Sequence, residues 1–180
     1  MKVINTPLDG LLVFVPEIYE DDRGYFFESW NKKIFKELGL NYEFYQDNQS
    51  LSKYGVLRGL HFQNPPHAQG KLVRVVKGKV LDVVVDIRSD SSTYGSHYKI
   101  ELSETNKLIF WIPPGFAHGF ITLENDTIFS YKCTSVYNQQ SEQALLWSDK
   151  TLNIDWQIKK PIVSQKDQNA IKFLSFKSKF

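Results

Sequence analysis

The segment 71-KLVRVVKGKVLDVVVDI-87 consists of two runs rich in β-branched residues, with Lys77-Gly78 between them. Such runs favour β-strands, and a Lys-Gly pair between them predicts a hairpin turn. Outward from this segment, the same pattern predicts strands near residues 97–102, 108–112, 118–122 and 127–134. Short strands at this spacing, with turns between them, indicate an all-β sandwich or barrel.

Helices are expected to be few and short. Asn31 can cap a helix in which Ile34, Phe35 and Leu38 share one face, and Gly39 would end it. From about residue 152 the chain is more polar and irregular, with a short helix predicted near residues 167–174. The 180 residues contain no repeat or linker, so we expect one domain over residues 1–180.

Composition argues against several functional classes. The net charge is only +2, and no basic run is long enough for a nucleic-acid or membrane arm. No apolar stretch approaches the roughly 18–20 residues of a membrane span, and the first residues lack the apolar core of a signal peptide. A single cysteine, Cys133, fits a reducing compartment. We therefore expect a cytoplasmic protein with no nucleic-acid or membrane partner.

A Pro-Gly turn leading to His118, in the segment 113–120, resembles the second sequence motif of cupins, which are small jelly-roll β-barrels. The first cupin motif would place metal ligands around His61. Gln63 stands instead at the second histidine position, and Lys71 stands where an acid is expected. Glutamine is a weak ligand and an ammonium group repels a cation. The pattern therefore predicts a cupin-like jelly-roll barrel with a few short helices and without a metal.

The segment 55–63 is apolar enough for a strand, yet it contains Arg58, His61 and Gln63. Strict alternation puts Leu57, Gly59, His61 and Gln63 on one face, as in the lining of a cavity. His61 is then either a functional group or a hydrogen-bonded structural histidine. Arg58 would lie on the opposite face, unless a bulge at Gly59 brings it to the same site as His61.

Tyr131 is predicted to share a strand face with Phe129 and Cys133. A strand tyrosine is ordinarily a packing residue with its hydroxyl at the rim, and the alternative is a proton donor. Nothing next to Cys133 in the sequence supplies an activating base, so we interpret this thiol as a small core residue.

Together these pieces resemble the dTDP-4-dehydrorhamnose 3,5-epimerase family, a cofactor-free, cupin-like group of nucleotide-sugar enzymes. The resemblance covers nearly the whole chain and is strongest at 56–63 and 68–73. Further matching segments follow in the family's order, at residues 22–29, 46–50, 82–88, 111–120, 131–132, 147–149 and 164–167. Each segment alone is weakly specific, whereas the ordered set is highly specific.

The resemblance implies a role for each matching residue. His61 matches the general base, Asp167 its carboxylate partner, and Tyr131 the general acid on the other face of the sugar. Lys71 matches a cation beside the reacting carbons and is the expected partner of the enolate oxygen. The matching substrate-binding positions are Arg23, Phe26, Glu28, Gln46, Asn48, Arg58, His118 and Tyr137, the last of which resembles a residue that stacks on the thymine.

The implied reaction inverts C3 and C5 of dTDP-4-keto-6-deoxy-D-glucose through an enolate, giving dTDP-4-keto-L-rhamnose without a cofactor. Such a reaction belongs to dTDP-rhamnose and cell-wall polysaccharide biosynthesis. The resemblance also implies a homodimer whose N-terminal strands pair across the interface. Asn138-Gln139 and Trp156-Gln157 depart from proline-containing sequences that are usual in relatives. The alternative is therefore an epimerase of a related sugar that inverts C3 only.

Overall fold

Two facing β-sheets form the body of the protein in this computed structural model, which describes residues Met1–Phe180. The first sheet has the order β1-β2-β10-β7-β12-β5. Its strands are β1 (Lys2–Asn5), β2 (Leu12–Val15), β5 (Gln46–Ser52), β7 (Lys71–Lys77), β10 (Ile109–Ile112) and β12 (Thr127–Cys133).

The second sheet has the order β13-β6-β11-β8-β9, and β14 pairs with β6 in parallel. Its strands are β6 (Val56–Gln63), β8 (Lys79–Asp86), β9 (His97–Ser103), β11 (Phe116–Thr122), β13 (Glu142–Ala144) and β14 (Ile162–Val163). A separate hairpin consists of β3 (Tyr19–Asp21) and β4 (Gly24–Phe26). The all-β, cupin-like class is confirmed, although the two sheets do not close into one hydrogen-bonded barrel.

Three buried clusters explain why the strands are apolar on both faces. One lies between the sheets and includes Val73 and Phe129 from the first sheet with Val84 and Phe120 from the second. Another covers the outer face of the second sheet, where Trp156 of the C-terminal segment packs. The third covers the outer face of the first sheet. Strands β8, β10 and β11 are therefore covered on both faces, which requires apolar residues at successive strand positions.

The predicted hairpin at Lys77-Gly78 is wrong. Strand β7 pairs with β10 and β12, whereas β8 pairs with β9 and β11, so the chain crosses from one sheet to the other at this point. Gly78 has φ +79°, and a β-carbon there would lie 2.5 Å from the hydroxyl oxygen of Thr127. Apolar runs of this kind identify buried strands but do not specify which strands pair.

The helices are short, as predicted. Helix α1 (Lys32–Glu37) begins after Asn31, whose side chain accepts hydrogen bonds from the amides of Lys33 and Ile34. The helix predicted near 167–174 is instead α2 (Gln165–Gln168), capped by Ser164, followed by a separate 3-10 turn at Phe173–Ser175. No helix in the structure has the length and apolar character needed to cross a bilayer.

Candidate active site

A cavity of about 560 Å³ opens at one end of the sheet pair. Both sheets contribute to its walls, because strands β5, β7 and β12 come from the first and β6, β11 and β14 from the second. Seven of the residues singled out from the sequence line it: Asn48, Arg58, His61, Lys71, His118, Tyr131 and Asp167. Residues that are distant in the sequence therefore meet in one enclosed space.

A bulge at Gly59, which the sequence left open, is present on β6. His61 pairs with His118 and Arg58 pairs with Phe120, so two residues of β6 lie opposite the single residue Gly119 of β11. Gly59 has φ +131°, and a β-carbon there would lie 2.8 Å from the carbonyl oxygen of His118. A bulge resets the alternation of side chains, so that Arg58 and His61 both line the cavity.

Strict alternation on β6 is therefore broken between Leu57 and His61, because Leu57 borders the cavity but its side chain packs on the other side of the sheet. Leu57 packs with Leu60 and Phe62 in the cluster on the outer side of the second sheet. His61 lies on the inner side, toward the first sheet. The extra residue of the bulge is the physical reason, since it shifts every side chain that follows to the other face.

His61 and Asp167 form a short polar contact in the cavity, with 2.6 Å between His61 Nε2 and Asp167 Oδ1. The Asp167 side chain is 4% exposed and that of His61 is 32% exposed. Donation from Nε2 to the carboxylate would leave Nδ1 as the nitrogen able to accept a proton. The carboxylate thus fixes the orientation of a base that still reaches the cavity.

Several groups hold the Asp167 carboxylate ionised. Burial alone would raise its pKa, but the hydrogen bond and charge of His61 and the amide of Gly59 outweigh burial and lower it. The Gly59 amide donates to Oδ2 at 3.4 Å, and Ser164 Oγ accepts from the Asp167 amide at 3.1 Å. The bulge and the start of α2 therefore position the same carboxylate.

Tyr131 projects from β12 of the first sheet, whereas His61 projects from β6 of the second, and both line the cavity. The Tyr131 ring packs against Phe129, with 6.0 Å between ring centroids. Burial raises the pKa of the Tyr131 phenol above its ordinary value. The phenol is consequently protonated at neutral pH and can donate a proton.

Lys71 provides a cation in the floor of the cavity and is only 9% exposed. Burial lowers the pKa of this lysine, while the nearby Cys133 and Asp82 act in the opposite direction. Beside it, Asp82 accepts hydrogen bonds from His118 Nε2 at 2.9 and 3.0 Å. Burial raises the pKa of Asp82 and lowers that of His118. A positive charge on Lys71 lies in poorly solvated surroundings, where it interacts more strongly with a substrate oxygen than it would in water.

Cys133 is fully buried, as expected of a core residue. Burial raises the pKa of its thiol to about 11. The thiol is therefore protonated at neutral pH and is a poor nucleophile.

A second compartment of about 260 Å³ adjoins the first and shares His61, Lys71 and Tyr131 with it. Gln46 and Tyr137 line this compartment, together with Asn48. At the rim of the main cavity, Ser52 Oγ accepts hydrogen bonds from Arg58 Nε at 3.3 Å and from its Nη2 at 3.2 Å. The predicted binding residues thus extend away from the base and the phenol in two directions.

Three predicted binding residues do not reach the cavity within this chain. Arg23 and Phe26 lie on the β3–β4 hairpin, where the Arg23 side chain is 89% exposed and pairs with Asp21. Glu28 follows the hairpin and accepts a hydrogen bond from the Asn31 side chain at 2.9 Å. The resemblance assigns these residues to the site, but one copy of the chain does not bring them there.

The structure adds two charged residues that the sequence analysis did not select. Lys166 lines the main cavity and Glu142 the second compartment, and Lys166 Nζ donates to Glu142 Oε2 at 2.5 Å. The same oxygen accepts from the Tyr137 hydroxyl at 2.8 Å. Lys166 could have been selected from the sequence, because it precedes Asp167 within a segment that matches the family. Glu142 lies on a three-residue strand without a recognisable pattern.

No three histidine, cysteine, aspartate or glutamate side chains converge in a geometry that could hold a metal ion. The charged groups around His61 and His118 include the side chains of Arg58, Lys71 and Lys166 and the carboxylates of Asp82, Glu142 and Asp167. A base and a phenol on opposite walls of one cavity suit an enzyme that removes and returns protons on carbon. The fold and the site therefore define an epimerase or isomerase.

The chain belongs to the dTDP-4-dehydrorhamnose 3,5-epimerase family, whose model matches residues 5–175. The dTDP-4-dehydrorhamnose 3,5-epimerase of Shigella flexneri is 50% identical over 175 residues, which cover 97% of each chain. The crystal structure of the enzyme of that name from Elizabethkingia anophelis has a TM-score of 0.92, 51% identity and 97% coverage of each chain. The chain is therefore an isomerase of nucleotide sugars.

Two further solved structures bear on the number of carbons inverted. A 3,5-epimerase from Legionella pneumophila, solved with dTDP-4-keto-L-rhamnose, is 47% identical at a TM-score of 0.92, covering 95% of this chain and 92% of that one. A 3'-monoepimerase from Streptomyces bikiniensis, solved with dTDP-quinovose, is 29% identical at a TM-score of 0.90, covering 94% and 87%. The closer similarity to 3,5-epimerases does not favour the alternative of inversion at C3 only.

Proposed function

We propose that this 3,5-epimerase inverts C3 and C5 of dTDP-4-keto-6-deoxy-D-glucose with His61 as the base and Tyr131 as the acid. The observation that carries the proposal is their placement on opposite walls of one cavity. Inversion requires that a proton leave one face of a carbon and that another arrive at the opposite face. A single group on one wall would return the proton to the face from which it came.

The first half of each inversion is deprotonation next to the C4 ketone. His61 Nδ1 takes the proton from the carbon, and the electrons of the broken C–H bond form an enolate on the C4 oxygen. Asp167 stabilises the resulting imidazolium through the 2.6 Å contact. Lys71 offsets the charge on the enolate oxygen in poorly solvated surroundings.

The second half is protonation from the other wall. The enolate collapses, a new C–H bond forms with the phenolic proton of Tyr131, and the ketone is regenerated. Tyrosinate and imidazolium then exchange protons with solvent, so that the enzyme returns to its starting state. The same cycle at the second carbon completes the conversion to dTDP-4-keto-L-rhamnose.

Recognition of the nucleotide is assigned to residues further from the reacting carbons. Arg58, oriented by Ser52, can donate a pair of hydrogen bonds to the diphosphate. Tyr137 has a half-exposed ring beside the second compartment and provides an aromatic surface for thymine. Gln46, Asn48 and His118 line the space between.

We also propose that the reaction needs no metal or organic cofactor, because Lys71 supplies the positive charge that a metal would otherwise provide. The 180 residues act as one domain, since the C-terminal segment supplies both Asp167 and Trp156 to the body of the fold. The single, buried cysteine supports a cytoplasmic location in dTDP-rhamnose biosynthesis.

Incubation with dTDP-4-keto-6-deoxy-D-glucose in deuterated water tests the proposal. We expect one deuterium at C3 and one at C5 of the product, because tyrosine and histidine protons exchange with solvent between turnovers. NMR of the product gives both the isotope content and the stereochemistry. Turnover in the presence of a chelator should be unchanged. Deuterium at C3 alone, or loss of activity with the chelator, would contradict the proposal.

A homodimer would explain the placement of Arg23, Phe26 and Glu28 outside the cavity. The β3–β4 hairpin that carries Arg23 and Phe26 exposes aromatic side chains, and Phe26 is 64% exposed. Exposed aromatic residues of this kind are typical of interfaces. We propose that N-terminal strands pair across a two-fold axis and that the hairpin of one copy reaches the cavity of the other.

This arrangement predicts complementation between two inactive variants. Arg23→Ala and His61→Asn should each lose activity, whereas a mixed dimer of the two should recover about half of the wild-type activity, because one of its two sites has both an intact His61 and an intact Arg23. Activity is measured on mixed dimers purified through two different tags. Activity no higher than that of the parent variants, or sedimentation as a single chain, would rule out the shared site.

A further inference from the structure

Gln63 is a buried polar residue at the end of β6, 4% exposed, and the reaction proposed above does not use it. Its side chain forms three hydrogen bonds, all to backbone groups of two loops. Nε2 donates to the carbonyl of His67 at 2.7 Å and to that of Val136 at 3.2 Å, while Oε1 accepts from the amide of Asn138 at 2.7 Å. The amide group thus makes all its contacts with loops.

Two of these bonds hold the residues on either side of Tyr137. The carbonyl of Val136 and the amide of Asn138 both bind Gln63, and the amide of Tyr137 itself donates to Gln46 Oε1 at 2.7 Å. Side chains therefore hold one backbone group of each of the three consecutive residues 136, 137 and 138. The segment lacks proline and regular secondary structure. Its other hydrogen bonds include those from Gln69 Nε2 to the carbonyl of Ser135 at 2.6 Å and from the Tyr137 hydroxyl to Glu142 Oε2 at 2.8 Å.

We infer that Gln63 is a positioning residue that fixes the ring of Tyr137 relative to the base His61. Gln63 and His61 lie two residues apart on one strand, so a single β-strand sets the separation between the proposed thymine surface and the proton-transfer site. The inference rests on the proposed role of Tyr137. It adds a specific function for an amide at a position where a metal-dependent cupin would have a ligand.

The physical argument is one of preorganisation. A half-exposed aromatic ring on a loop must lose conformational freedom when a nucleobase stacks on it, and this loss weakens binding. If the backbone at that ring is already fixed in the free enzyme, most of this cost is met during folding. Loss of the Gln63 contacts should therefore weaken substrate binding and leave proton transfer unchanged.

The test compares Gln63→Met with the matched control Gln143→Met, on an exposed position of the neighbouring strand β13. For Gln63→Met we expect KM for dTDP-4-keto-6-deoxy-D-glucose to rise about tenfold and kcat to stay within about twofold. Amide hydrogen exchange in residues 134–141 should accelerate. The control should change none of these three quantities. If Gln63→Met prevents folding, Gln63→Glu takes its place in the test. Glutamate retains the shape of the side chain and the acceptor for the Asn138 amide, but it removes both side-chain donors.

A third variant distinguishes this inference from the proposed role of Tyr137. Tyr137→Ala should raise KM, and adding Gln63→Met to it should raise KM no further, because the two residues act through one feature. If Tyr137→Ala leaves KM unchanged, the proposed thymine contact is wrong. If Tyr137→Ala raises KM but the Gln63 variants do not, or if their effects on KM multiply, Gln63 does not act through Tyr137.

Discussion

Replacing His61 with asparagine should lower kcat by about 10²- to 10⁴-fold, the usual contribution of a general base. Asparagine can still donate a hydrogen bond to Asp167, but it cannot take a proton from carbon. We also expect deuterium uptake at C3 and C5 to fall by a similar factor, because exchange requires the same deprotonation. Both quantities can be read from one NMR time course in deuterated water.

The fold should survive this substitution, since the His61 side chain is one-third exposed and lines a cavity instead of filling a core. His97→Asn is a matched control, because His97 lies on β9, outside both compartments. The control should retain wild-type kcat. A His61→Asn enzyme that keeps kcat within tenfold of wild type would show that another group is the base.

Substitution of Tyr131 by phenylalanine should separate exchange from inversion. Without the phenol, we expect inversion to slow by about 10²- to 10³-fold, because the proposed proton donor on the wall of the first sheet is removed. Deprotonation by His61 and stabilisation by Lys71 persist, so the substrate should still take up deuterium with its configuration retained. NMR of recovered substrate distinguishes retained from inverted, labelled sugar.

Tyr98→Phe provides the same chemical change in a residue that packs against the same cluster between the sheets. It should affect neither exchange nor inversion. If Tyr131→Phe reduces exchange and inversion by the same factor, Tyr131 contributes to deprotonation as well and is not a donor for one face alone. Unchanged inversion would remove Tyr131 from the mechanism.

Strand positions were largely predictable because β-branched residues are concentrated in them, and Asn31 marked the start of α1 correctly. The pairing of the strands was not predictable from the sequence. The runs on either side of Gly78 are both rich in β-branched apolar residues, so they fit a hairpin as well as a crossing between two sheets. The crossing is defined by the strands with which β7 and β8 pair, and these strands are distant in the sequence.

The candidate site was likewise predictable in part. The sequence left open whether a bulge at Gly59 brings Arg58 and His61 together, because a glycine permits a bulge without requiring one, and the register shows that the bulge is present. Glu142 was missed because its three-residue strand has no periodicity, and its partner Lys166 lies far along the chain. Long-range ion pairs of this kind leave no local pattern for sequence reasoning to detect.

The backbone contact between Gly59 and Gly119 bears on attempts to give this enzyme new sugar substrates. A β-carbon on Gly119 would lie 2.8 Å from the carbonyl oxygen of Arg58, and one on Gly59 would meet the backbone of residues 118 and 119. Mutagenesis libraries should therefore leave both glycines unaltered and diversify the opposing sheet, where Asn48 and Ser50 face the cavity. Selectivity could then be evolved on one wall while the proton-abstracting machinery on the other keeps its alignment.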